Sequence, residues 1–339
     1  MSRVVEHLAE LTGFRDRDLL DATIVSAFRD LLPPAVIAIY RSVGIAPDQH
    51  WLMRARIAPG DVAPVSDPLW SDLASLPRLD SDHDRLACLS CDETLIVPGL
   101  PSRAYFALST ENETYGVLEI ETDAPLADDM RRQVETVLKV YRNFHRLLDY
   151  SERDTLTGLL NRKTFDDSFM RVVASPYLDR VGGDRRVETG SGTWLAVIDI
   201  DHFKRVNDGF GHLIGDEVLL LMSRLMRSSF RFQDQIYRFG GEEFVVLMRC
   251  EGAGAALAAF ERMRGNVERT TFPQVGRLTI SIGITEVRPT DTPSAAFERA
   301  DKAVYHAKQS GRNQVHDYQT LIDAGKLVDA SRDSEVVLF

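Results

Sequence analysis

Residues 235–248, QIYRFGGEEFVVLM, read as two short apolar strands closed by a tight turn at Gly240-Gly241, since glycine pairs between strand patterns favour a hairpin. The second strand opens on adjacent carboxylates, Glu242 and Glu243, ahead of a run fit for burial. Upstream, WLAVIDI (194–200) has the pattern of a buried strand, and 216–230 that of a helix with Val218, Leu221, Met222 and Leu225 apolar. Downstream come a helix from about Ala253 to Arg269, the strand RLTISIGIT (277–285) and a helix from about Ser294 to Ser310. The order β-α-β-β-α-β with one central hairpin is the split βαβ arrangement, which sets the hairpin beside the first strand.

That first strand runs out through VIDIDHFKRVND (197–208). On extended backbone Val197, Asp199 and Asp201 face one side and Ile198 and Ile200 the other, so Asp199 emerges at the strand end. The hairpin turn then brings Glu242 and Glu243 next to Asp199. Carboxylates gathered this way repel one another unless a cation sits among them. A few hard oxygen ligands suit Mg²⁺, which keeps positions for water and phosphate. Gly240 and Gly241 carry no Cβ, so their backbone can take φ > 0 and a phosphate-bearing ligand can approach it closely. A hairpin with solvated glutamates is the plainer alternative, and the acidic strand end weighs against it.

At 339 residues the chain exceeds one typical domain, and 44% hydrophobic with 27% charged residues is ordinary for a folded protein, so two globular domains are expected. A net charge of −11 argues against general affinity for nucleic acid or anionic membrane, because both require neutralising phosphates with Lys and Arg. No apolar run approaches the ~20 residues of a membrane span and no signal-peptide core is present, so the expected location is the cytoplasm. Three cysteines make no disulfide framework, and CLSC (88–91) is half of a zinc site without a second half, so Cys88 and Cys91 are expected to be structural thiols.

The N-terminal part begins with LLDATIVSAFRDLL (19–32), whose Leu20, Ile24, Phe28 and Leu31 share a helical face, stopped by Pro33-Pro34. Strand-like runs follow at 35–43, 50–58, 103–110 and 115–122, the last two joined by a polar ENE turn. The fold class is therefore α+β, with an antiparallel-sheet domain preceding the split βαβ domain. From Leu126 to Arg153 the pattern is helical, with Val137, Val140, Phe144 and Leu147 spaced as a heptad seam. Both a parallel two-helix junction and packing on its own domain are open for this helix. The expected organisation is 1–128 as a first domain, 129–153 as a linker helix, 154–318 as a second domain and 319–339 as a poorly ordered tail. The segment 179–192 is also expected to be irregular.

The motifs DTLTGLLNR (154–162), DIDHFKRVND (199–208), FGHLIGDEVL (210–219), RFGGEEF (238–244) and AKQSGRN (307–313) occur in the order and spacing of the GGDEF family. The second domain resembles these diguanylate cyclases, with Glu at the third signature position. The resemblance implies condensation of two GTP molecules into cyclic di-GMP and pyrophosphate on a fold like the polymerase palm and nucleotide cyclases. By position it implies Asp199, Glu242 and the Ile200 carbonyl as ligands of Mg²⁺, with Mn²⁺ able to substitute, and Glu243 as an assistant to the metal or to deprotonation. Asn207 and Asp216 resemble guanine readers, an ionised Asp accepting from N1–H and the 2-amino group; capping of a helix after Gly215 is the alternative for Asp216. Lys308, Arg312 and Lys204 match phosphate-holding positions, and Arg231, Asp234 and Arg262 an inhibitory cyclic di-GMP site of RxxD type.

Catalysis by such a domain joins nucleotides from two facing half-sites, which implies a homodimer. The order of elements in residues 1–128 resembles a GAF sensory domain, for an unknown signal. Two other readings use the same scaffold: a silent cyclic di-GMP receptor, and a sensor acting through protein interaction.

Overall fold

A computed structural model describes residues 6–7, 9, 17–32, 34–68, 71–110, 114–181 and 192–328. Most of the 179–192 segment, the ENE turn and the chain beyond 328 lie outside the described residues. The chain divides into two compact units, Met1–Ser151 and Glu152–Phe339. No helix among the described residues is long and apolar enough to cross a membrane.

In the first unit, α1 (Arg17–Leu31) precedes strands β1 (Ala35–Ile45) and β2 (Asp48–Ile57), helix α2 (His83–Cys91), and strands β3 (Leu95–Val97), β4 (Ser102–Ser109) and β5 (Thr114–Thr122). The sheet order is β2-β1-β5-β4-β3, and every pairing is antiparallel. The long helix α3 (Asp128–Glu152) closes the unit. One face of the sheet packs Ile37, Ile39, Phe106 and Leu118 against Leu20, Ile24 and Phe28 of α1 and Val134, Val137, Leu138 and Tyr141 of α3. A polar lock joins the layers: Asp21 is fully buried and accepts from Arg41 at 2.9 Å and from the Tyr141 hydroxyl. Removing one partner of such a buried pair costs about 3–5 kcal/mol, because the other charge is left stranded. Cys88 is likewise a packed thiol: burial pushes it up to about 12, and it donates to the Glu93 carbonyl.

The four heptad positions of α3 divide between two faces. Val137 turns into the unit's own core and Phe144 packs against it, whereas Val140, Leu147 and Tyr150 remain 38%, 64% and 79% exposed. The helix carries a wide apolar stripe for its own sheet and a narrower unpartnered stripe beside it.

The second unit contains β6 (Leu160–Asn161), α4 (Arg162–Val181), β7 (Gly192–Ile200), α5 (Phe203–Phe210), α6 (His212–Ser229), β8 (Gln235–Gly240), β9 (Glu243–Cys250) and α7 (Gly252–Arg269). A two-stranded ribbon, β10 (Thr271–Phe272) with β11 (Gly276–Arg277), leads to β12 (Ile280–Glu286), α8 (Pro293–Gln309), β13 (Val315–Asp317) and α9 (Tyr318–Asp323). The sheet order is β13-β12-β7-β9-β8-β6, and its four central strands are antiparallel, as the split βαβ reading expects. Even-numbered Ala196, Ile198, Ile200, Phe244 and Val246 face Met222 of α6 and Phe260 and Met263 of α7. Odd-numbered Leu195, Val197, Val245 and Leu247 face Phe165 of α4 and Ala296, Ala300 and Val304 of α8. Cover on both faces explains why these strands are apolar along their whole length.

Within the expected irregular tail, residues 319–323 continue a short helix, and 329–339 lie outside the described residues. Tyr318 and Leu321 are buried against Ala303 of α8, and Asp317 caps α9 by accepting from the Thr320 N–H at 3.0 Å. Apolar side chains at Tyr318, Leu321 and Ile322 share one helical face and give the segment something to bury.

Candidate active site

The antiparallel register of β7 with β9 sets Asp199 directly opposite Glu243, so both side chains leave the sheet on the face covered by α8. Gly241 and Glu242 form the turn between β8 and β9, and Glu242 thus sits beside the same sheet end. From α8, Lys308 reaches Asp199 Oδ2 at 2.8 Å. Asp199 is 5% exposed, and burial raises its carboxyl above the ordinary range; Lys308 opposes that shift, while Asp201 and Asp301 add to it. Glu242 is raised by burial and then by the charge of Asp199, and Glu243 by burial, Asp199 and Asp301. Each of these carboxyls favours folding while protonated and loses that contribution as pH rises through its raised folded value. At neutral pH the ionised cluster is a site of electrostatic repulsion that a cation relieves.

The donor set fits a hard, partly solvated cation. Among the described residues no group of three or more His, Cys, Asp or Glu side chains is placed to hold a metal ion by itself; Asp199, Glu242 and Glu243 are hard oxygen donors, the type that suits Mg²⁺ together with water and phosphate. Gly240 and Gly241 have φ of 146° and 51°, and a Cβ built on either meets nothing within 4 Å, which leaves the main chain of the turn open to a ligand.

The other predicted residues lie on the two helices after β7 and at the end of α8. A Cβ at Gly215 would meet Asn207 Oδ1 at 2.1 Å, so glycine is what lets the Asn207 amide lie on the turn of α6 that carries Asp216. Asp216 does not cap that helix, because α6 already begins at His212 with Gly211 as its cap; its exposed carboxylate is therefore free of the structural task that the sequence offered it. Lys308 ends α8, and Arg312 is half-buried in the loop that follows. Lys204 is exposed at the start of α5. Elsewhere on the unit, Asp234 is buried, accepts from the Arg231 N–H at 2.8 Å, and leaves Oδ1 unpaired. Burial raises it to about 6, and the Arg231 and Arg262 charges pull the other way, which places both guanidiniums near it. Arg262 donates to the Ser229 carbonyl at 3.0 Å.

Residues 151–314 match the family model described as "Diguanylate cyclase, GGDEF domain". The second unit is a GGDEF domain. "Diguanylate cyclase DgcP" of Pseudomonas aeruginosa is 42% identical over 165 residues, covering 48% of this chain and 23% of that protein. "Diguanylate cyclase A" of Treponema denticola is 32% identical over 222 residues, covering 62% of this chain and 58% of that one. The chain thus spans less than two thirds of these relatives' own lengths. Among solved structures, the GGDEF domain of DgcB from Caulobacter crescentus in complex with c-di-GMP is 34% identical, with 50% of this chain and 94% of that chain covered at a TM-score of 0.43.

The structure adds residues to the GGDEF site that the sequence reading passed over. Asp301 stands seven positions before Lys308 on α8, hence two turns away on one face, a spacing that marks it in hindsight. Arg238 joins two motifs: it donates to Asp154 at 3.0 Å and, through Nε and Nη2, to the Gly241 carbonyl at 3.2 and 3.0 Å. Asp154 in turn accepts from the Thr157 N–H and hydroxyl, so DTLT is a turn clamped to the signature loop. Arg238→Ala is expected to destabilise this unit by about 1–3 kcal/mol, since the partly buried Asp154 loses its counter-charge. Thermal melting of the variant checks it.

Proposed function

We propose that this protein is a diguanylate cyclase, dependent on Mg²⁺ (with Mn²⁺ as a substitute), that condenses two GTP into cyclic di-GMP and two pyrophosphates as a homodimer. The observation that carries this reading is Asp199 opposite Glu243 at an open sheet end, beside Glu242 and with the Lys308 ammonium at 2.8 Å. A divalent cation bound by Asp199, Glu242 and the Ile200 carbonyl would neutralise charge on the triphosphate and acidify the attacking 3′-hydroxyl. Glu243, on the same sheet face as Asp199, supports that site or takes the proton. Lys308, Arg312 and Lys204 hold phosphate oxygens and keep the α-phosphorus in line. The 3′-oxygen forms its bond to that phosphorus as the bond to the pyrophosphate oxygen breaks.

Asn207 and Asp216 select guanine. An ionised carboxylate facing adenine would find no matching pair of donors, and leaving it unpaired is costly, so GTP is preferred to ATP. One domain holds one GTP, and each of the two phosphodiester bonds joins nucleotides from facing subunits. The exposed stripe of Val140, Leu147 and Tyr150 on α3 suits a parallel pairing of two such helices. The first unit, read as a GAF-like sensor on the strength of its five-stranded antiparallel sheet, sets the geometry of that pair. Incubation of the full chain with GTP and Mg²⁺, followed by chromatography, tests the activity. Cyclic di-GMP and pyrophosphate are the expected products, and a folded dimer that leaves GTP intact would contradict the reading.

Product inhibition at Arg231, Asp234 and Arg262 follows with a defined pH dependence. Asp234 accepts from a guanine edge with both oxygens, and most strongly, when ionised, and its folded value is about 6. Cyclic di-GMP should therefore bind well above that pH and progressively worse below it. The same raised value means that Asp234 contributes its stability below the unfolded carboxylate range and loses it as pH rises through about 6. Calorimetric titration of cyclic di-GMP across pH 5 to 8, chosen to bracket the histidine and raised-carboxyl range, checks the sign.

A further inference from the structure

Three consecutive residues after α8 lie in the left-handed region: Gly311 at φ 111°, Arg312 at 64° and Asn313 at 49°. For Arg312 this conformation costs about 1–2 kcal/mol and for Asn313 less, and the Arg312 geometry persists only where surrounding contacts over-determine it. The Arg312 N–H donates to the Ala307 carbonyl at 2.9 Å, closing the helix end. The Asn313 side chain accepts from Arg264 at 2.8 Å and donates to Glu268 at 2.8 Å, both on α7. The Asn313 N–H donates to Asp201 Oδ2 at 3.0 Å.

Asp201 is 3% exposed. Strand β7 stops at Ile200, and Asp201 follows on the side it shares with Asp199, since its partner Ser281 stands opposite Asp199 on β12. Its Oδ1 accepts from the Ser281 hydroxyl at 2.7 Å and its Oδ2 from the Thr279 hydroxyl at 2.7 Å, in addition to Asn313. All three donors are neutral, so this carboxylate is held by directional bonds rather than by a counter-charge. Burying a carboxylate is unfavourable unless its acceptors are filled, and here they are filled from Thr279 and Ser281 on one side and Asn313 on the other, two segments far apart in sequence that also pair where β12 meets β13. Asp201 lies two residues from Asp199, so one short piece of backbone carries a carboxylate of the acidic cluster and the anchor of the Arg312 loop.

We propose that Asp201 is a positioning residue for phosphate recognition: its buried carboxylate fixes the strained 311–313 loop and thereby holds Arg312 in register with Asp199. This inference rests on the proposed reading of Arg312 as a phosphate-binding residue. It gives Asp201 a task separate from metal ligation, and it makes Asn313 the residue through which β7 and α7 jointly hold the loop.

The test is a double-mutant cycle on the full chain, titrating GDP and GMP with EDTA present so that no metal contributes. Asp201→Asn places an amide N–H₂ where an acceptor is needed; it should weaken GDP binding about tenfold and leave GMP binding within about twofold of wild type. Arg312→Ala should weaken GDP comparably, and the double variant should be no weaker than Arg312→Ala alone. Thr279→Val, a milder removal of one donor, should weaken GDP in the same direction by a smaller factor. The proposal is overturned if the two losses multiply, if GMP affinity falls together with GDP, or if Thr279→Val retains wild-type GDP affinity. A wild-type protein that forms no cyclic di-GMP would defeat the enzymatic reading, whereas this cycle would still decide the role of Asp201.

Discussion

Asp199→Asn is expected to lower cyclic di-GMP formation by about 10³-fold or more while leaving the protein folded, because on the proposed reading it removes one ionic ligand of a triphosphate-bound cation without changing side-chain volume. The electrostatics of the cluster sharpen this expectation. Burial and the neighbouring acids hold the Asp199 carboxyl above its ordinary range despite Lys308, so its ionised form is on balance unfavourable to folding. A neutral amide removes that burden and leaves Lys308, one third exposed, to be solvated. The melting temperature of metal-free Asp199→Asn should therefore equal the wild type or exceed it by about 1–3 °C. Loss of activity together with a clear fall in melting temperature would instead mark Asp199 as a structural residue. Activity lost at undiminished stability is the pattern of a site kept under strain for function.

The second large effect concerns association. Residues 152–339 have their own sheet and cores, so they can be prepared alone. At nanomolar concentration this unit should turn over GTP at least about 10²-fold more slowly than the full chain, with a rate per subunit that rises with protein concentration. Without the first unit each encounter of two half-sites is bimolecular, whereas a shared dimer supplies an effective concentration near millimolar. Val140→Lys with Leu147→Lys in the full chain should have the same consequence, since both side chains are exposed on the face of α3 that its own sheet does not use. Equal rates for the isolated unit and the full chain at the same low concentration would show that the first unit does not bring the sites together.

What was legible from sequence followed from periodicity and from motifs of local contacts. The central four strands and their order come from continuous apolar runs and one glycine turn, and the strand end at Asp199 follows from the alternation of faces along extended backbone. What was not legible depends on polar partners far apart in the chain. Helix α2 is poorly marked because Arg85 faces inward, where it binds Glu119 at 2.6 Å and lies 3.6 Å over the Tyr40 ring. No hydrophobic pattern announces an arginine in that role. The clamp of Asp154 on Arg238 spans 84 positions, and the bond from Asp201 to Asn313 spans 112. Alternation put Asp201 on the side of Asp199, and its bond to Ser281, which stands opposite Asp199, agrees; the partner Asn313 was beyond reach of that pattern. The heptad spacing in α3 was real, but two of its four members serve the first unit's own core, a division that only packing decides.

The most direct test of the central claim is the binding of Mn²⁺, followed by electron paramagnetic resonance, to the full chain with a non-hydrolysable GTP analogue, compared with Asp199→Asn and Glu242→Gln. A cation shared between these carboxylates and the nucleotide predicts tight Mn²⁺ binding in the wild type only when the analogue is present, and its loss in both variants. Equal Mn²⁺ binding by all three proteins, or analogue binding that is indifferent to the ion, would contradict it.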